Sequence, residues 1–180
     1  MTDEYSLIEH KHRFAAWAAS RAARVKRFPL KVSDGRAFLD QLGLREYVEH
    51  PDELPGADDV DAVHLDWRTR VVRSASKRFP ECTHGTAAKL INVYLKAAFV
   101  CGGFHDHPKV APLHPPIDRL LLDELARKDV GGQKAFWRQM RDKGWSSFDS
   151  PAYQRVIDRI RHAMAGSSLW EVERYWRGYR

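Results

Sequence analysis

The segment from Thr86 to Val100 constrains the fold more than any other part of this chain. It contains no glycine or proline, and alanine, leucine, isoleucine, valine and phenylalanine occupy most of its positions. Apolar residues fall on almost every side of the helix that this segment would form. A helix that is apolar all round is normally buried, so the sequence predicts that this helix forms the centre of the fold.

Three polar residues, Lys89, Asn92 and Lys96, interrupt this apolar segment at positions i, i+3 and i+7. At 3.6 residues per turn they lie along one narrow stripe of the helix. On a buried helix, such a stripe either reaches solvent at the edge of the core or lines a cleft. The spacing alone leaves both interpretations open.

The rest of the chain predicts further helices and no sheet. Its 180 residues, of which 43% are hydrophobic, suffice for one compact domain over 1–180. Glycine and proline clusters predict loops at 50–58 and 101–116. The apolar periodicity and capping residues predict helices at 4–26, 33–43 (capped by Ser33), 58–78, 116–127, 130–143, 151–165 and 168–177.

The motif His114-Pro115-Pro116-Ile117-Asp118 precedes one of these helices. Proline fits the first turn of a helix, which puts Asp118 near its second or third residue. The helix dipole and the free N–H groups favour a charged carboxylate there. Asp118 is then either an ordinary acid at a helix start or a carboxylate directed into a cleft.

These features occur in an order that resembles the helix-hairpin-helix DNA glycosylase superfamily, and most closely its 8-oxoguanine DNA glycosylase branch. A helix leads into the hairpin Phe-Pro-Glu-Cys-Thr-His-Gly-Thr (79–86), Lys89 follows in the next helix, and Pro116-Ile117-Asp118 opens a later one. The resemblance covers about residues 59–125. It implies an all-α, compact helical domain built around a helix-hairpin-helix core.

The resemblance also implies an activity, the excision of a damaged or modified base by a DNA N-glycosylase without a cofactor. Asp118 would stabilise the oxocarbenium-like transition state. Lys89, with Lys96 as the second candidate, would attack the sugar and couple excision to strand cleavage. Asn92 would orient the lysine or bind a phosphate.

Such an enzyme everts its target base into a pocket. We expect Trp145 in this pocket, or as a wedge in the duplex, together with His105, His107 and His114. The hairpin amides precede a helix N-terminus, where phosphates bind readily. The DNA-binding residues predicted on this basis are Thr83, His84, Gly85, Thr86, Lys77, Arg78 and Arg73.

The net charge of +6 agrees with a polyanionic partner, which we expect to be double-stranded DNA. The sequence shows no secretory signal and no long uninterrupted apolar run. Cys82 and Cys101 are predicted to be free thiols, because the central helix separates them. We therefore expect a monomeric cytoplasmic protein.

Two other functions fit the same sequence. In the first, the protein is a non-catalytic helix-hairpin-helix DNA-binding protein, and Lys89 and Asp118 are structural. In the second, His105, His107 and His114 hold a metal ion in a metal-dependent enzyme. For the glycosylase, the sequence leaves open oxidised guanine or a bulky modified base of the kind found in bacteriophage DNA, and hence repair or antiviral defence.

Overall fold

The computed structural model describes residues 5–179, and these residues form an all-α domain. Apart from an isolated bridge between Val25 and Phe28, no β-structure occurs in that range, which confirms the all-α prediction. Short 3₁₀ turns cover Pro51–Glu53, Val130–Gly132, Trp145–Ser147 and Leu169–Tyr175. The α-helices are α1 (Leu7–Ala23), α2 (Val32–Gln41), α3 (Val60–Ala75), α4 (His84–Leu95), α5 (Arg119–Arg127), α6 (Lys134–Lys143) and α7 (Ser150–Ala163).

Helix α4 lies at the centre, as its apolar sequence predicts. Leu90, Ile91 and Tyr94 belong to a core cluster with α1, α2 and α3. Ala88, on another side of the helix, belongs to a second cluster with α5, α6 and α7. Because α4 is shared by both clusters, a polar side chain on it can lie at the seam between them.

Beyond α4 the chain continues through a π-helical segment from Lys96 to Phe104, which is kinked at Gly103, where φ is +97°. The predicted loop at 101–116 is therefore wrong for Cys101 and Gly102, which continue the helix up to the kink. The stretch His84–Phe104 has 21 residues, and an 18-residue window within it has a mean hydropathy of 1.2, so it meets the length and composition of a membrane span. Its packing between two core clusters, and 56% burial within the protein, identify it as a core helix.

Several predicted helix boundaries are wrong for local reasons. Lys31, not Ser33, is the N-cap of α2, and the Asp34 side chain accepts from its backbone N–H. Gly131 and Gly132 adopt positive φ, which breaks the predicted helix at 130–143 before α6. The predicted last helix is a 3₁₀ turn, Leu169–Tyr175, and this turn sets the position of the cleft residues described below.

Candidate active site

A cleft of about 420 Å³ opens beside the central helix, where the two core clusters meet. Pockets of this size hold small-molecule groups in many proteins. Its walls come from α1, α4 and the π-helical segment, the start of α5, the 144–148 turn and the C-terminal segment. The lining residues are Phe14, Ala18, Ala22, Lys89, Val93, Lys96, Ala97, Cys101, Pro116, Asp118, Trp145, Glu173 and Trp176.

The two predicted catalytic residues, Lys89 and Asp118, meet in this cleft. Lys89 Nζ donates to Asp118 Oδ2 over 3.0 Å, and both side chains are largely buried. Lys89 projects from the second turn of α4, and Asp118 precedes the first residue of α5. The structure therefore brings together two residues that are 29 positions apart in the sequence.

Both carboxylate oxygens of Asp118 accept hydrogen bonds from the protein. Asp118 is the N-cap of α5 and not the second or third helical residue that the sequence predicts, and its Oδ1 accepts from the Leu121 amide at 2.9 Å. Oδ2 accepts from Trp176 Nε1 at 3.0 Å as well as from Lys89. These bonds fix the carboxylate and leave it on the cleft wall.

Burial lowers the pKa of Lys89, and the negative charge of Asp118 opposes that shift. Its ammonium group also lies 5.8 Å from the centre of the Trp145 ring. A lysine in this setting loses its proton more easily than an exposed lysine. The amine is thus closer to the neutral form that a nucleophile requires.

A second ion pair lines the same cleft. Lys96 donates to Glu173 Oε2, and Lys96 Nζ lies 5.7 Å from the centre of the Trp176 ring. Burial raises the pKa of Glu173, which Lys96 partly counteracts. The cleft therefore presents two cations and two carboxylates between aromatic side chains.

Asn92 faces away from this cleft, so its predicted role beside Lys89 is wrong. Its amide nitrogen donates to Pro115 O and to Tyr153 Oη, both at 2.9 Å, and its oxygen lies 2.7 Å from His64 Nε2. Asn92 follows Lys89 by three residues, slightly less than one helical turn, so the two side chains leave α4 in directions about 60° apart. This difference puts Asn92 against α3 and α7. It belongs to a buried polar network that holds these helices together.

The three histidines predicted for the base pocket do not line the cleft either. His114 is buried and contacts Asp61 at 2.7 Å and Tyr153 at 3.1 Å. His105 packs edge-on against Trp170. His107 contacts Asp52.

These histidines also do not converge on a common point. No group of three or more potential ligands that could hold a metal occurs among residues 5–179. The proposed metal site at His105, His107 and His114 is therefore wrong. The physical reason is that the 105–114 segment passes from the surface into the core, so its histidines have different surroundings.

Backbone amides of the hairpin before α4 donate hydrogen bonds to other groups of the protein. The Gly85 amide donates to Phe148 O at 3.0 Å, and the Thr86 amide donates to Thr83 Oγ1 at 3.1 Å. Gly85 and Thr86 are buried, and His84 is half-buried. A phosphate at this helix start would have to compete with these contacts, which does not support the predicted amide site at Thr83, His84, Gly85 and Thr86.

The predicted basic side chains near this hairpin are exposed. Arg73 and Lys77 project into solvent from the end of α3 and the turn that follows it. Arg78 pairs with Asp34 and lies over the Phe79 ring. Arg73 and Lys77 stay candidates for phosphate contacts, whereas Arg78 already has a protein partner.

Of the predicted pocket residues, Trp145 does line the cleft, and Lys96 lies there too. Phe14, Glu173 and Trp176 also line it and were missed. The capping box of Ser168 and Glu171 is a local signal for the turn at Leu169–Tyr175, but no local signal shows where that segment packs. Cys82 and Cys101 are both free, as predicted, and Cys101 is exposed at the cleft.

Comparison with protein-family models, curated proteins and solved structures finds no match.

Proposed function

We propose that this protein is a DNA N-glycosylase that everts a damaged or modified base into the cleft beside α4 and excises it. One observation carries the proposal: Lys89 Nζ and Asp118 Oδ2 lie 3.0 Å apart in an open cleft with aromatic walls. The helix-hairpin-helix resemblance of residues 59–125 supports the same function. The net charge of +6 supports duplex DNA as the partner.

In the proposed mechanism, Asp118 stabilises the positive charge that develops on the sugar as the base departs. A fixed carboxylate suits this role because it needs no reorganisation during the reaction. The Leu121 amide and Trp176 Nε1 hold it in place. For attack by water, the same carboxylate accepts the water proton, the oxygen bonds to C1′, and the base leaves with the glycosidic bond electrons.

Lys89 offers a second route, in which the nucleophile is its neutral amine. The amine lone pair forms a bond to C1′, the glycosidic bond breaks, and its electrons go to the base. The proton that Lys89 gives up neutralises the departing base. The nitrogen lone pair then breaks the C1′–O4′ bond, O4′ takes a proton from water, and a Schiff base forms. The Asp118 carboxylate accepts a proton from C2′, and the electrons of that C–H bond form the double bond that expels the 3′ phosphate and cuts the strand.

The remaining cleft residues would recognise the base. Trp145 and Trp176 present aromatic faces, and the Lys96–Glu173 pair offers a donor and an acceptor. Ala18, Ala22 and Ala97 are small side chains that also line the cleft. We propose oxidised guanine or a base with a bulky substituent as the target, so both classes belong in the substrate screen.

The function is tested by incubating the protein with duplexes that each carry one modified base, and by detecting free base with mass spectrometry. We expect release from at least one duplex. Sodium borohydride then traps any Schiff base as a covalent protein–DNA adduct. The adduct should form with wild type and Lys96→Gln and disappear with Lys89→Gln, whereas loss only in Lys96→Gln would identify Lys96 as the nucleophile.

A non-catalytic DNA-binding function has one observation in its favour. Lys89 and Lys96 are both ion-paired in the cleft, and such pairs also occur as static structural contacts. This alternative predicts specific duplex binding without release of any base. The same screen, read by fluorescence anisotropy and mass spectrometry together, separates the two functions.

A further inference from the structure

Two large aromatic side chains on α1 are exposed to solvent. Phe14 is 58% exposed and Trp17 is 51% exposed. Their ring centres lie 6.0 Å apart at an interplanar angle of 33°, so they form one continuous aromatic surface. Neighbouring aromatic residues exposed to this extent are typical of a contact surface.

This aromatic surface is continuous with the cleft. Phe14 lines the cleft together with Lys89 and Asp118, and Ala18 and Ala22 continue the same row of α1 along the wall. Trp17 belongs to the adjacent row and lies outside the cleft lining. Phe14 therefore forms the rim of the cleft, and Trp17 extends that rim over the outer surface.

The charge of this helix face fits a polyanion. Arg21 lies one turn after Trp17, Arg24 is the C-cap residue that follows the last residue of α1, and both are exposed. Among the residues that the structure describes, neither makes an ion pair, and the same holds for exposed Lys26 and Arg27. By contrast, Arg13, nearer the start of α1, is paired with Glu9.

We propose that this face of α1 is a DNA-contacting surface: Phe14 and Trp17 stack on the bases next to the everted nucleotide, and Arg21 and Arg24 contact the adjacent phosphates. The inference rests on the proposed function and names the surface that holds the duplex open. Everting a base leaves a gap in the stack, and apolar or aromatic side chains can fill such a gap or stack on its neighbours. Phe14 is placed to do so because it is both exposed and at the cleft rim.

This assignment moves the wedge from Trp145 to α1. Trp145 is only partly exposed and lies near Lys89 inside the cleft, where it suits the everted base. Trp17 is on the outer surface and half exposed. The two tryptophans therefore have different roles, one inside the pocket and one against the remaining stack.

The test uses a duplex with a single tetrahydrofuran abasic site and 2-aminopurine as the adjacent base, compared with an intact duplex of the same sequence. We expect wild type to prefer the abasic duplex and to change the 2-aminopurine fluorescence. Phe14→Ala/Trp17→Ala should lose that fluorescence change and bind the abasic duplex at least tenfold more weakly. Leu65→Ala, which removes another exposed apolar side chain on α3, is the matched control and should behave as wild type.

Arg21→Ala/Arg24→Ala should weaken binding to both duplexes and flatten the dependence of log affinity on log salt concentration, because fewer counterions are released. Far-ultraviolet circular dichroism checks that each variant folds. If wild type releases bases and the Phe14/Trp17 double variant keeps its fluorescence response and affinity, the α1 inference fails while the glycosylase proposal stands. Wild type without preference for the abasic duplex and without base release overturns both proposals.

One further outcome assigns the face to a different partner. If wild type sediments as a dimer without DNA and the double variant as a monomer with unchanged DNA affinity, α1 is a self-association surface. That result overturns the α1 inference and also the expectation of a monomer.

Discussion

Replacement of Asp118 by asparagine separates the chemical role of its charge from its structural role. Asparagine is as good an N-cap as aspartate, so the bond to the Leu121 amide should survive. The variant loses the charge that faces Lys89 at 3.0 Å. At an effective dielectric constant of about 20, that attraction is roughly 5 kcal/mol before desolvation is subtracted.

Most of this attraction offsets the cost of burying Lys89, whose side chain is 7% exposed. Asp118→Asn leaves that cost uncompensated, so we expect it to lower the free energy of unfolding by about 3–5 kcal/mol. In the folded variant we expect the single-turnover rate of excision to fall about 10²–10⁴-fold, because the charge is needed most in the transition state. Urea unfolding and single-turnover base release measure the two quantities separately.

Asp149→Asn is the matched control, because Asp149 caps α7 through the Ala152 amide in the same way but lies outside the cleft lining. It should change the free energy of unfolding by about 0.5 kcal/mol or less and leave excision unchanged. Excision by Asp118→Asn at the wild-type rate would refute the assigned role. Equal losses of excision in both variants would show that capping, and not the cleft carboxylate, matters.

Two further predictions concern the scaffold around the cleft. Burial lowers the pKa of His64 and His114, so below about pH 7 the unfolded chain binds protons that the folded protein does not. The free energy of unfolding should therefore be constant above about pH 7 and fall by roughly 2 kcal/mol or more by pH 5. Urea unfolding that shows no such loss would contradict neutral buried histidines. Gly85→Ala would put a Cβ atom 1.8 Å from Trp145 O and should destabilise the protein by about 2 kcal/mol or more, whereas Gly56→Ala, with no atom within 4 Å, should change its unfolding midpoint little.

The sequence predicted the central elements of the fold because their signals are local and strong. The apolar residues of α4 indicated burial, and the prolines before Asp118 indicated a helix start. The contact between Lys89 and Asp118 was predicted from the resemblance, in which the hairpin, the lysine and the aspartate follow one another in the same order. This order is visible in the sequence without any information on how the loops between them pack.

The rest of the cleft depends on packing that no local pattern records. Phe14 precedes Lys89 by 75 positions and reaches the cleft only because α1 packs along α4. Trp176 bonds to Asp118 from the end of the last segment, which is a 3₁₀ turn and not the predicted α-helix. Asn92 shares the polar stripe of Lys89 in sequence, but its angular offset directs it into the buried network with His64.

The central claim is that the paired lysine and carboxylate act on a nucleotide drawn out of duplex DNA. Its most direct test is the mass of the product released from duplexes with single modified bases, measured for wild type and Asp118→Asn side by side. The account predicts that wild type liberates an intact free base from at least one duplex and that the variant, still folded and still binding DNA, liberates almost none. Tight DNA binding by wild type with no free base from any duplex in the panel would contradict it.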